Sequence, residues 1–386
     1  MNILVVYNRD IALNDAGASR TVIELANYLS DKENMNVFAA FVIINGNNGK
    51  IKEVPIDRSN AVSEYKRVIR ENQIDIIIVP EAIKLASILY EAKIGTNAKI
   101  ISALHTKPGY EKIRLYVNFY EELLYSRNWI NKIKSLIKLL IYPYFNSRSI
   151  NDIEKKMQNA YAVSDRVVLL SERYKKPFIK EYKLKDGGLK LTAIPNGLSY
   201  GDLFISDADF LKKQNVCLVV GRLDERSKRL SLVLRMWKSI KRQAPEWKLV
   251  VVGTGPSEKY YKDLVRMYHL QDVCFMGHQE PLSFYKSAKV FFMTSAFEGQ
   301  PMTLLEALPM GCVPVVMNSF ESVYDTICDG ENGFIASKCA EFVDKSLKLM
   351  KDSQLRITMA NNGIKKCNKF AREKTYELYY KLLIEG

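Results

Sequence analysis

Histidine is nearly missing from this sequence, with three in 386 residues, at positions 105, 269 and 278. There is no H-x-x-x-H pair and no Cys/His cluster, which argues against a zinc site. The six cysteines all lie after residue 200, and none forms a C-x-x-C pair. That pattern predicts buried free thiols in a reducing compartment, not a disulfide framework. No apolar run approaches the roughly 18 residues that a membrane span needs. The opening Met-Asn-Ile-Leu-Val-Val-Tyr-Asn lacks the basic flank and length of a signal peptide and reads as a first β-strand. There is no G-x-G-x-x-G, so a dinucleotide fingerprint is not supported. No Ser-His-Asp or Cys-His nucleophile arrangement is visible. Acidic residues are also in short supply. Forty-three Asp and Glu face 57 Lys and Arg, a net charge of +14. An excess of that size points to a polyanionic surface as partner, anionic lipid or nucleic acid.

The length suits two domains, and 47% apolar content is that of a globular chain. Strand-like runs at 3–7, 37–44, 74–79, 99–104 and 165–170 alternate with helical patterns such as Val22, Leu25, Ala26 and Leu29. The alternation restarts at 216–220 and continues at 247–252, 273–277 and 289–294. Each half therefore reads as a doubly wound parallel sheet. The break falls near 198–212. The domains are placed at residues 1–200 and 201–369, with an apolar stripe of Tyr376, Tyr379, Tyr380 and Leu383 in a last helix, 370–386.

The densest stretch is Glu298 to Val316, EGQPMTLLEALPMGCVPVV. Pro301 suits a first helical position, so a loop ends near Gln300 and a helix begins there. Its free N–H groups near Thr303 and Leu304 make a phosphate site. Glu298 lies in the loop, and Glu306 about one and a half turns along the helix. Pro309 blocks continuation, so the helix ends near Leu308 with Gly311 just beyond. Upstream, Arg222 and Lys228 follow a strand end, and Gly253 opens the turn Gly253-Thr-Gly255-Pro256. Gly17 stands at a loop–helix junction where backbone can approach a phosphate. His105 follows a strand at its carboxyl end, where α/β ligands bind. Asp207 and Asp209 form a D-x-D, but in a polar linker, where a helix start is the better reading.

The segment 110–150 mixes aromatic, aliphatic and basic residues. Between 107 and 156 ten Lys or Arg face five Asp or Glu. Such a segment reads as an interfacial contact with an anionic membrane, or as an ordinary helix with a solvated basic face. No nucleic-acid module accompanies the charge, so nucleic acid is not expected as a partner.

The stretch from Glu298 resembles the E-x7-E motif of the retaining glycosyltransferases of the GT-B fold, family 4 in particular, whose pattern is roughly EGxPxxLLEAMAxGxPVV. Pro309 departs from it. Gly221-Arg222-Leu223 with Lys228, the Gly253 turn, Ile194-Pro195-Asn196-Gly197 and Asp329-Gly330-Glu-Asn332-Gly333 match further family pieces in order and spacing. The resemblance implies two Rossmann-like domains facing across a cleft, the first for acceptor and the second for donor, with the last helix crossing back to the first. It implies transfer of a sugar from a nucleotide sugar, UDP-linked in most relatives with this loop, to a glycan or lipid-linked acceptor in surface polysaccharide biosynthesis, with retained anomeric configuration. In that scheme Arg222 and Lys228 hold the diphosphate and no metal or other cofactor is needed. Glu306 meets the ribose, and Glu298 and Gly299 the sugar. Gly17 faces the diphosphate and His105 the sugar. The expected place is the cytoplasm, peripheral at the inner face of the plasma membrane. Two other classes stay open, a nucleotide-sugar epimerase or phosphorylase of the same fold and a non-catalytic basic lipid- or nucleic-acid-binding protein. The first would want extra acid/base residues or a pyridoxal lysine. The second would not need Arg222, Lys228, Glu298 and Glu306 together.

Overall fold

A computed structural model describes residues 1–12, 17–110, 129–200, 203–206, 209–210 and 212–385, with the side chains of 18, 131, 138, 139 and 141–150 excepted. The chain forms two units. Of the described residues, the first holds those up to 110, 143–197 and those from Arg372 on, and the second holds 129–142 and those between 198 and 371.

The strands of the first unit are β1 (Asn2–Val5), β2 (Ile11–Ala12), β3 (Asn36–Ala39), β4 (Ile43–Ile44), β5 (Lys52–Glu53), β6 (Ile76–Val79), β7 (Lys99–Ala103), β8 (Arg166–Leu169) and β9 (Leu191–Ala193). Seven of them form one parallel sheet in the order β5-β3-β1-β6-β7-β8-β9. Successive side chains alternate between faces. Ile3 and Val5 pack toward helices Ala18–Ser30 and Arg372–Glu385, while Leu4 and Val6 pack toward Ala61–Glu71 and Ala82–Ala92. Both faces are covered, which is why these strands are continuous apolar runs. The C-terminal helix buries Tyr376, Tyr379 and Leu383 in this core. It is fixed there by Glu24, which accepts from Arg372 at 3.0 Å and from the Tyr376 hydroxyl at 3.1 Å.

The strand expected over 37–44 is broken. After Ala39 the chain bends, and β4 pairs with β2 in a separate two-stranded sheet. Val42 N–H donates to Asp10 and its carbonyl accepts from Ile11, which takes this piece out of the main ladder.

The second unit contains β10 (Gln214–Val220), β11 (Lys248–Val252), β12 (Val273–Phe275), β13 (Ala288–Met293), β14 (Val313–Met317) and β15 (Phe334–Ala336). All are parallel, in the order β12-β11-β10-β13-β14-β15. Cys217, Val290 and Phe292 face helices Leu230–Gln243 and Cys339–Lys351, while Leu218, Phe291 and Met293 face Met302–Ala307. The chain goes outward from β10 through β11 to β12, then returns to lay β13 on the other side of β10. The sheet reverses direction between β10 and β13, and ligands of such sheets bind outside the carboxyl ends of the strands at that reversal. Of the six free cysteines, Cys217, Cys312 and Cys367 are buried, whereas Cys274 and Cys339 are exposed. The expectation of buried thiols therefore holds only in part. Cys274 and Cys339 lie on an outer strand and at a helix start, away from the cores.

Candidate active site

At the reversal point, β10 runs into Gly221-Arg222-Leu223 and then a short helix, Glu225–Lys228. Asp224 caps that helix by accepting from Arg226 N–H at 3.1 Å. Next door, β11 ends in Gly253-Thr254-Gly255, and the two turns are stitched together. Gly221 N–H donates to Val252 O, Leu223 N–H to Thr254 O and Ser257 N–H to Leu223 O. A Cβ on Gly253 would stand 2.0 Å from Gly221 O, and one on Gly255 would stand 2.4 Å from Leu223 O. Only glycine lets these two backbones approach so closely.

On the other side of β10, β13 delivers the loop Thr294–Gln300. The Lys228 ammonium lies 2.6 Å from Glu298 Oε1, with both side chains largely buried. The pair joins the loops after β10 and β13. Arg229 locks the same two loops. It has a left-handed backbone, φ 47°, and its guanidinium donates to the carbonyls of Thr294 and Ser295 at 2.9 Å and to Ser319 Oγ at 2.6 Å. Thr294 Oγ1 returns a bond to Lys228 O, and Ala296 N–H one to Ser227 O. Arg222 is exposed, and among the described residues its guanidinium has no hydrogen-bond partner. It projects from this edge as a cation with no protein counterion among the described residues.

Pro301 is extended, φ −74°, ψ 104°, and serves as the cap, so the helix begins one residue later than expected, at Met302, and ends at Ala307. Gly311 follows with φ +66°. The Leu304 N–H expected at a phosphate is already given to Pro301 O at 3.0 Å. The N–H groups of Met302 and Thr303 come before that bond and carry no partner among the described residues. Glu306 is buried, 8% exposed, and its Oε2 accepts the Tyr285 hydroxyl at 2.9 Å. Burial first, and then the Glu306 carboxylate, push the Tyr285 hydroxyl's pKa far up, so it acts only as a neutral donor. Gly299 lies in the loop beside Glu298.

Gly17 and His105 belong to the first unit. Gly17 precedes helix Ala18–Ser30 with φ 72°, and a Cβ there would meet nothing within 4 Å. His105 follows β7. Its Nδ1 is buried with no partner among the described residues, and the Asn196 side chain is a hydrogen-bonding neighbour of the ring. Burial pulls the imidazole pKa down to about 4, against a smaller upward pull from Asn196, so the ring is neutral near pH 7. Asp207 lies outside the described residues, and Asp209 is exposed and bonded to Ser206 Oγ at 2.8 Å.

Asn196, Arg229 and Tyr285 are residues that sequence reasoning passed over. Asn196 was legible only as part of a turn. Arg229 adjoins Lys228, and nothing in its sequence neighbours marks a left-handed residue.

Residues 204–366 match the family model described as glycosyl transferases group 1. The chain is 31% identical over 153 residues, 38% of its length, to the amylovoran biosynthesis glycosyltransferase AmsD of Erwinia amylovora, and spans 41% of that protein. Over 97% of its length it is 22% identical to an α-1,4-N-acetyl-D-galactosaminyltransferase of Campylobacter jejuni named for an undecaprenol-diphosphate-linked glycan acceptor, covering 96% of that enzyme. Among solved structures, Anabaena HepE in complex with UDP superposes with a TM-score of 0.73 at 16% identity, each chain covered in full. The fold is GT-B, built from two Rossmann-like units.

Proposed function

We propose that the protein is a retaining glycosyltransferase that moves a sugar from a UDP-linked donor to a glycan or lipid-linked acceptor in surface polysaccharide biosynthesis. The observation that carries this is the reversal point between β10 and β13. Lys228 and Glu298 meet there on loops whose backbones are locked to each other, and Arg222 projects from the same edge. A departing nucleoside diphosphate needs fixed positive charge where its own charge develops. Arg222 offers a planar fork and Lys228 a point charge already held in place by Glu298. These two cations do the work assigned elsewhere to a metal. Glu306, oriented by Tyr285, is suited to accept the ribose hydroxyls. Glu298 and Gly299 meet the transferred sugar, and Thr303 N–H a phosphate oxygen. Gly17 and His105, a neutral imidazole, are assigned to the diphosphate and the sugar on the resemblance alone. HepE was solved with UDP, AmsD is named for amylovoran biosynthesis, and a relative 27% identical over 55% of this chain is named for capsular polysaccharide biosynthesis, which supports the donor and the pathway class. The deciding experiment is a panel of nucleotide sugars, scored by thermal shift and by UDP release in the presence of chelator. A UDP-sugar should stabilise the protein. Activity abolished by chelator and restored by manganese would refute the metal-free scheme, and no response to any nucleotide would refute the enzyme reading.

A membrane-facing place at the cytoplasmic side belongs to the same proposal. Part of the basic segment, 111–128, lies outside the described residues. The next element along the chain is helix Trp129–Val163, which starts with an exposed apolar stripe. Trp129 is 69% exposed, Leu140 73%, and Ile133 and Leu136 about half, with Lys132 and Lys134 exposed beside them. Spacing of three to four residues puts that stripe on one side of the helix. An aromatic and aliphatic stripe flanked by lysines suits an anionic bilayer surface and an acceptor carried on lipid. No helix among the described residues is long and apolar enough to cross a membrane.

A further inference from the structure

The opposite edge of the second unit's sheet holds a cavity of about 150 Å³, walled in part by Lys213, Lys289, Ser353 and Arg356, with no Asp or Glu among the described residues of its lining. Lys289 is the second residue of β13, and Val313, which also lines the cavity, is the first of β14. The site therefore sits at the amino ends of β13 and β14, and the carboxyl end of β13 carries the Glu298 loop.

Three cations share this space. Lys213, 5% exposed, gives its ammonium to the carbonyls of Tyr285 and Ala288 and to Cys312 Sγ. Arg356, 9% exposed, gives Nη1 to the carbonyls of Leu349 and Met350 at the end of helix Cys339–Lys351. Its Nε and Nη2 donate to no protein atom among the described residues. Lys289 makes one bond, 2.7 Å to Asn215 Oδ1, which leaves two of its N–H groups. None of the three forms an ion pair among the described residues. The acid that acts on Arg356, Asp352, is exposed and spends an oxygen capping helix Ser353–Cys367 through Leu355 N–H. Burial, and then repulsion from Arg356, lower the Lys289 pKa. Charges taken out of water are normally paired, and among the described residues these have carbonyl and amide oxygens, the Cys312 sulfur and, for Arg356, the face of Trp247 at 5.6 Å, but no carboxylate.

We infer that this cavity is an anion site for inorganic phosphate, bound by the free N–H groups of Arg356 and Lys289 with the Ser353 hydroxyl at the wall and the Lys213 charge behind. The cavity is smaller than the roughly 300–1,000 Å³ that pockets for drug-sized ligands occupy, so it suits one tetrahedral oxyanion and not a nucleotide. The test is calorimetric titration of the full chain with inorganic phosphate at constant ionic strength, in parallel with Lys289→Gln, Arg356→Gln and the double variant Arg222→Gln/Lys228→Gln. Lys289 is only half-buried with a single bond, so Lys289→Gln should fold, which thermal melting checks. It carries the test even if Arg356→Gln does not fold. Phosphate affinity should fall at least about tenfold in Lys289→Gln, as losing a charge-assisted bond implies, and stay unchanged in the Arg222/Lys228 variant. No phosphate binding by the native protein, binding unchanged in Lys289→Gln, or binding lost only in the Arg222/Lys228 variant would each overturn the assignment.

Discussion

Replacing Lys228 and Glu298 one at a time and together tests whether they act as a unit. The 2.6 Å contact joins side chains that are 28% and 14% exposed, so it is only partly screened. A charge-assisted hydrogen bond of this kind contributes about 1.5–3 kcal/mol, and partial exposure favours the low end. Lys228→Gln removes a charge aimed at the leaving diphosphate and should lower turnover about a hundredfold, as loss of one preorganised donor does. Glu298→Gln should lower it about tenfold or more, because Lys228 loses its anchor and the sugar loses a partner. If much of that second cost runs through Lys228, the double variant should be little worse than Lys228→Gln alone. The coupling energy should then be at least about 1 kcal/mol. Steady-state rates of UDP release for the four proteins, with calorimetric UDP titration alongside, measure both terms. A double variant whose loss equals the product of the two single losses would refute the idea that Glu298 works through Lys228.

Glu306→Gln should weaken UDP binding roughly ten- to a hundredfold, and Tyr285→Phe by less, since the tyrosine only orients the carboxylate. Unchanged UDP affinity in Glu306→Gln would remove the ribose assignment. His105 is neutral in the folded protein down to about pH 4, whereas an unfolded histidine holds its proton below about 6.5. Between those values the unfolded chain binds more protons, so stability climbs with pH across the window and is complete above it, by at most about 3 kcal/mol. Thermal midpoints of native protein and His105→Asn at several pH values should diverge in slope only there, and parallel curves would contradict the buried neutral ring. Gly253→Ala places a methyl on the Gly221 carbonyl and forces φ +131° on an L residue. It should cost more than about 2 kcal/mol and abolish UDP binding, so an unshifted midpoint would count against the stitched turns. On liposomes, the protein should float with anionic vesicles and be released by salt, and Lys132→Glu with Lys134→Glu should reduce this without unfolding. Equal binding to neutral vesicles would contradict the electrostatic part.

The sequence displayed what is local. Apolar runs located β1, β6, β7, β8, β10, β11, β12 and β13 to within about two residues, because parallel strands buried on both faces leave little room for polar residues, whereas β5, β9, β14 and β15 were not picked out. Pro301, Pro309 and Gly311 bracketed the short helix correctly at its end, since proline cannot continue a helix and Gly311 adopts a left-handed φ. Its start was placed one residue early because Pro301, while holding its fixed φ, is extended in ψ. The bend after Ala39 escaped notice because Val37 to Ile44 is apolar throughout, and only the cross-strand partners Ile11 and Asp10 show that it divides. Pairing at a distance could not be read at all. Lys228 and Glu298 were each assigned to the donor, and their contact with each other depends on β10 and β13 being neighbours. The Arg229 latch and the His105–Asn196 bond are of the same kind.

The adjacency of β10 and β13 also governs when the site can exist. Lys228 and Glu298 are 70 residues apart in the chain, with β11, β12 and their helices between them. Contacts of such high sequence separation form late, because the entropy of closing the intervening loop must be met before they stabilise anything. During synthesis, a chain that has just completed β12 has a folded glycine turn and a lone Lys228, but nothing for Lys228 to hold. The constellation appears only once β13 has inserted beside β10. A partly made chain is thus expected to be blind to its nucleotide, and nucleotide binding becomes a sign that the second unit has finished folding.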